Sequence, residues 1–125
     1  MSRIALAAAL LAATTALGFA AEPAMTADTA KGKVYTDAKG MTLYTFDKDD
    51  AGKSNCYDNC AKNWPPFMAA PDAKAEGKWT VVTRTDGSKM WALDGKPLYT
   101  FVKDAKAGDV TGDGVNSVWH LAKAN

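Results

Sequence analysis

The chain has 125 residues, 47% of them hydrophobic, with fifteen basic against fourteen acidic residues and a formal net charge of +1. That length suits one domain, and a charge excess so small, dispersed and mostly lysine, excludes the electrostatic footprint of a nucleic-acid or anionic-membrane binder. A domain of about a hundred residues has only a small core, so the two cysteines are its obvious staple in an oxidising compartment.

In chain order, Arg3 is the only charge before Glu22, and Ile4 through Ala21 is an uncharged run rich in alanine and leucine. The run contains Gly18-Phe19-Ala20, with the small Gly18 and Ala20 at the positions a signal peptidase reads. This predicts a secretory signal peptide over residues 1–20 rather than a membrane anchor, since alanine makes the run weakly hydrophobic. No cysteine follows it for lipid attachment, so the expected mature chain is periplasmic or secreted, with no stable membrane anchor after cleavage. Cleavage removes Arg3 and no acid, leaving fourteen basic and fourteen acidic residues. Residues 21–33 lack any apolar period and read as a flexible leader.

Val34-Tyr35-Thr36, a turn over Asp37 to Gly40, and Met41 to Phe46 form a hairpin pattern. Tyr44 and Phe46 share one face of the second strand, and Met41, Leu43 and Thr45 the other. Asp47 to Asn55 is polar and turn-rich. Cys56 to Asn63 predicts a short helix, stopped by Pro65 and Pro66 because a residue before proline is pushed to extended geometry. Met68 to Gly77 reads as a loop. Trp79 to Arg84 is a strand, Asp86-Gly87 a hairpin turn, and Lys89 to Leu93 the return. After Asp94-Gly95, Pro97 to Val102 runs out again, a glycine-rich loop follows, and Val118 to Leu121 closes the chain.

Part of this pattern occurs twice. Gly40, Leu43, Tyr44, Thr45, Phe46, Lys48 and Asp49 coincide, at an offset of fifty-five residues, with Gly95, Leu98, Tyr99, Thr100, Phe101, Lys103 and Asp104. Asp58 and Trp64 coincide with Asp113 and Trp119 at the same offset. The expected fold is mainly β: a small antiparallel β-domain over 34–125, built of two pseudo-symmetric tandem repeats with one short helix. Repeat 1 covers about 34–66 and repeat 2 about 79–122.

With Leu-Tyr-x-Phe-x-x-Asp in duplicate, and Ser54-x-Cys56-x-x-x-Cys60-Ala61-x-x-Trp64-Pro65-Pro66 between, the chain resembles a bacterial family of secreted repeats. Its members are predicted lipoproteins with a Tyr-x-aromatic-x-x-Asp motif. The resemblance covers roughly residues 34–122 and includes Arg84-x-Asp86-Gly87 and Trp119-His120-Leu121. It implies an exported protein of two tandem repeats and attaches no activity. Members are often lipid-anchored, whereas this chain lacks the lipid-bearing cysteine and is expected free in the periplasm.

Several residues carry chemistry. Cys56 and Cys60, four apart, are one helical turn from each other and within disulfide reach. A redox-active dithiol of thioredoxin type needs Cys-x-x-Cys beside a βαβ pattern, and neither is present. Asp47-x-Asp49 through Asp58 imitates a calcium loop, but Ala51 stands at a ligand position and no helix precedes it. His120, the only histidine, could join Met41, Met68 and Met90 in a soft site for copper or haem iron. Methionine is equally a gap-filler of small cores, and no motif for covalent haem attachment is present. The Tyr44/Phe46 and Tyr99/Phe101 pairs fit either a stacking platform for flat ligands or the core of the two halves. Asp49 and Asp104 fit either turn-closing acceptors of backbone N–H bonds, with pKa values depressed on folding, or a carboxylate pair for hydrolysis.

The reading that follows is an exported, non-catalytic binding or interaction protein of the bacterial cell envelope. Its expected partner is an envelope protein or small ligand, without a cofactor or metal. Two alternatives stay open: a small periplasmic metal- or haem-linked redox accessory using His120 with Met68 and Met90, and a hydrolase using Asp49 and Asp104.

Overall fold

The structure, a computed structural model, describes residues 22–124, so the signal peptide expected over 1–20 lies outside the described residues. Strands β1 (Met25–Thr29) and β2 (Gly32–Thr36) form an antiparallel hairpin in the register Met25↔Thr36 to Thr29↔Gly32. Its turn is held by Thr29 Oγ1, which donates to the Gly32 carbonyl at 2.7 Å and accepts from the Lys31 N–H at 3.1 Å. The flexible leader read over 21–33 is thereby corrected from Met25 onward. β1 is exposed along most of its length, so it needs no apolar alternation, and its order comes from backbone pairing to β2. Ala24, just before it, is buried.

The chain continues through β3 (Tyr44–Phe46), helix α1 (Asn59–Asn63), β4 (Met68–Ala69), β5 (Trp79–Thr83), β6 (Lys89–Leu93) and β7 (Lys96–Pro97). A 3-10 turn (Val115–Ser117) and β8 (Trp119–Leu121) complete it. The helix is shorter than the expected Cys56–Asn63 because Asp58 sits at φ 55°, ψ −122°, which no helix accepts. It ends at Trp64, extended before Pro65 as a pre-proline residue must be. The loop read over Met68–Gly77 begins with β4, which pairs with β6. Gly40 and Gly95 hold the equivalent turn positions of the two copies at φ 85° and 82°, a left-handed conformation that glycine alone adopts without cost.

The described residues are mainly antiparallel β with one short helix, and the copies pair across each other. β3 of the first copy pairs with β8 of the second, Tyr44↔Leu121 and Phe46↔Trp119. The mirror contact joins residues 99–102 to 63–66: Tyr99 bridges Pro66, Thr100 N–H donates to the Pro65 carbonyl, and Val102 N–H to the Asn63 carbonyl. Between them Tyr44 and Tyr99 exchange both backbone bonds, N–H to carbonyl at 2.7 and 3.0 Å. A pseudo-two-fold axis therefore runs between these two tyrosines.

Alternation along the two motif strands feeds two cores. Tyr44, Tyr99, Phe101, Trp64 and Trp119 enter one, with Val82, Met90, Ala92 and Cys56. Leu43 and Leu98, one residue earlier in each motif, enter the other, with Tyr35, Trp79 and Leu93.

Candidate functional site

On the axis, four rings stack in the order Phe101, Trp64, Trp119, Phe46. Neighbouring centroids are 3.9, 3.7 and 4.2 Å apart, and the planes lie within 12° of parallel. The order alternates between copies, and the two indoles at its centre are repeat equivalents. Tyr44 meets Trp64 and Phe101 edge-on, and Tyr99 meets Trp119 and Phe46 edge-on, so the symmetry extends to the tyrosines. Gly112 makes room for this packing: a Cβ there would lie 2.8 Å from Trp64 Cη2 and 2.9 Å from Tyr44 Cζ. Of the two readings of the aromatic pairs, the core is the one observed. Both faces of each indole are covered by other rings, so they offer no platform on which a flat ligand could lie.

Each motif tyrosine then reaches the aspartate of the other copy. Tyr44 Oη donates to Asp104 Oδ2 at 2.7 Å, and Tyr99 Oη donates to Asp49 Oδ2 at 2.7 Å. The other carboxylate oxygens tie down the loops that follow: Asp49 Oδ1 accepts the Asn55 N–H at 2.6 Å. Asp104 Oδ1 accepts the Thr111 N–H at 2.9 Å and its hydroxyl at 2.5 Å. The loop bond is the one a turn-closing aspartate is expected to make. The cross-copy bond carries no local sequence signal.

Burial pushes the hydroxyls of Tyr44 and Tyr99 well above the usual phenol range, keeping both neutral donors. Burial also raises the Asp49 carboxyl above its ordinary value, with the Tyr99 and Asn55 donors pulling it partly back. This corrects the depressed value expected for Asp49: desolvation outweighs the hydrogen bonds.

The two clasps differ in their surroundings. Tyr99 Oη also shares a 2.6 Å hydrogen bond with Ser54 Oγ, which accepts from Arg84 Nη1 at 3.0 Å. Arg84 is buried, donates from Nη2 to the Cys56 carbonyl at 2.8 Å, and lies over the Tyr57 ring at 4.2 Å. On the other side Tyr44 Oη accepts only the Gly112 N–H, at 3.1 Å. Ser54 and Arg84 were not among the candidate residues; no repeat partner marks them.

Cys56 and Cys60 form a disulfide with Cα atoms 5.2 Å apart. Cys56 is fully buried, while Cys60 is partly open and borders a surface groove of about 420 Å³. That groove runs along the edge of the ring stack, where Phe46, Trp64 and Trp119 meet Lys48, Asn59, Asn63 and Asn116. A second cavity of about 240 Å³, also bordered by Phe46, lies between residues 45–51 and 94–97.

The metal candidates fall in different places. Met90 is fully buried, with Arg84 Nη1 3.6 Å from its sulfur, and Met68 is its exposed partner across β4 and β6. His120 projects from β8, in a different sheet, and its Nε2 is 2.8 Å from Asp47 Oδ2. Among the described residues no group of three or more His, Cys, Asp or Glu side chains is arranged to hold a metal ion. Asp49 and Asp104 contact no common group, each being held by a different tyrosine and loop.

Compared with known proteins, the chain is matched twice by a family described as a secreted repeat of unknown function, over residues 25–68 and 80–123. The first match begins at β1, in agreement with the hairpin that opens the fold. No curated protein and no solved structure matches the chain.

Proposed function

Because the chain belongs to the family of secreted repeats of unknown function, and is exported as that description implies, we propose that it is a non-catalytic binding protein of the bacterial cell envelope. It works free in the periplasm, where its disulfide is stable. One observation carries this reading: the duplicated motif is consumed by its own architecture. Tyr44, Tyr99, Asp49 and Asp104 are bonded to one another and to the loops behind them. A carboxylate so engaged is poorly placed to act as a base or nucleophile, because it must break a buried bond to do so. What the scaffold leaves open is the groove at the edge of the ring stack.

Osmotic-shock fractionation followed by native mass spectrometry tests the proposal. The expected result is release with the periplasmic fraction, at the mass of the mature chain alone or with a small molecule held non-covalently. Retention in the membrane pellet, a stoichiometric metal or haem, or turnover of ester or glycoside substrates would overturn it.

A further inference from the structure

Resting on that binding-protein reading, we propose that the groove takes a saccharide, reading a carbonyl-type acceptor on it: an acetamido group or a carboxylate. Trp64 and Trp119 are 5% and 3% exposed, yet neither indole N–H has a hydrogen-bond partner among the described residues. Buried tryptophan N–H groups usually find one. These two are not sealed in, because among the described residues the only enclosed side-chain nitrogen or oxygen without a partner is Trp79 Nε1. Both residues line the groove, and we take their unused indole donors, which cannot accept, to open onto it.

The rest of the lining points to the same chemistry. Lys48 adds a positive charge and no carboxylate borders the groove, so donors outnumber acceptors. The side-chain amides of Asn59 and Asn116 make no hydrogen bond among the described residues, which leaves them for the hydroxyls of a sugar. Stacking closes the indole faces, so a ligand must approach their edges, which selects for hydrogen-bond acceptors over flat rings. The volume, about 420 Å³, is in the range of small-ligand sites.

The rim is also fixed in place. Among the described residues, three of the four non-glycine residues at positive φ flank it: Asp58 at 55°, Asn116 at 52° and Ser117 at 62°. Backbone held in such conformations is over-determined by its surroundings. The disulfide closes the turn that carries Asn59. A wall ordered beforehand loses little entropy when a ligand arrives.

The test is an NMR titration of the ¹⁵N-labelled mature protein, following the indole N–H resonances. The probes are di-N-acetylchitobiose, a glucuronate disaccharide, and cellobiose, which has neither acceptor. Saturable shifts of two indole resonances with the first or the second are expected, and which one responds identifies the acceptor. Trp119→Phe keeps a ring in the stack and removes one donor; about tenfold weaker binding is expected. Asn116→Ala and Lys48→Ala, on the exposed rim, give the same readout if Trp119→Phe does not fold. Equal shifts with cellobiose, or undiminished binding in all three variants, would overturn the proposal. Shifts with a periplasmic extract but with none of the saccharides would overturn the sugar assignment and leave the binding reading standing. No shift with either would overturn both.

Discussion

The exchange of tyrosine bonds between the copies makes a sharp prediction for a double-mutant cycle. Asp104 is 5% exposed and accepts three hydrogen bonds, from Tyr44 Oη, the Thr111 amide and the Thr111 hydroxyl. Bonds to a charged acceptor are worth about 1.5–3 kcal/mol each, and donors stranded by its removal add a desolvation cost. Asp104→Ala should therefore destabilise by about 3–5 kcal/mol, and Tyr44→Phe, which removes one donor, by about 1.5–3 kcal/mol. Because the two share a bond, the double mutant should lose less than their sum, with a coupling of about 1–2 kcal/mol. The control pairs Tyr44→Phe with Asp49→Ala. These two residues belong to one motif but their side chains share no hydrogen-bonding partner, so their effects should add within about 0.5 kcal/mol. Urea melts of the disulfide-intact protein, with slopes checked for constancy, measure all of these. Equal coupling within and across copies, or coupling only within a copy, would refute the exchange.

Three further outcomes follow from the same structure. The folded pKa of Asp49 is raised, so its contribution to stability should be fully present below the unfolded value, near 3.9, and be lost as pH rises through the folded one. Urea melts between about pH 3 and 6 should show this decline in the parent and not in Asp49→Asn; a rise across that window would reverse the assignment. The disulfide closes so short a loop that its removal in a Cys56→Ser, Cys60→Ser double variant should cost only about 2 kcal/mol. Thiol titration of the unreduced, denatured parent should find no free thiol, and the protein should not accelerate insulin reduction. Gly112→Ala should cost about 1–3 kcal/mol by overpacking, and should weaken the near-ultraviolet circular dichroism of the stacked indoles; parental values of both would contradict the close approach.

The repeat, the hairpin at Asp86-Gly87 and the pairing of Cys56 with Cys60 were legible because each rests on local chemistry or on identity at a fixed offset. β1 was not, since an exposed strand has no reason to alternate apolar and polar residues. The helix was over-extended because nothing in Tyr57-Asp58 announces a positive φ at Asp58. The clasps were legible only in part. The aspartates were placed at loop exits, where each does accept a backbone N–H, but a tyrosine sixty residues away leaves no trace in local spacing. The groove was invisible for a related reason: Lys48, Asn63 and Asn116 come from three separate stretches, and only folding brings them to one wall.

The crossing of the copies also sets an order of completion. β3 stays without its partner until β8, the last strand among the described residues, arrives, and Tyr44 waits for Asp104. The first repeat, although translated first, thus has no way to finish folding by itself. The closing contacts are withheld until the second repeat is present, so the same topology that locks the finished molecule keeps the unfinished one pliable.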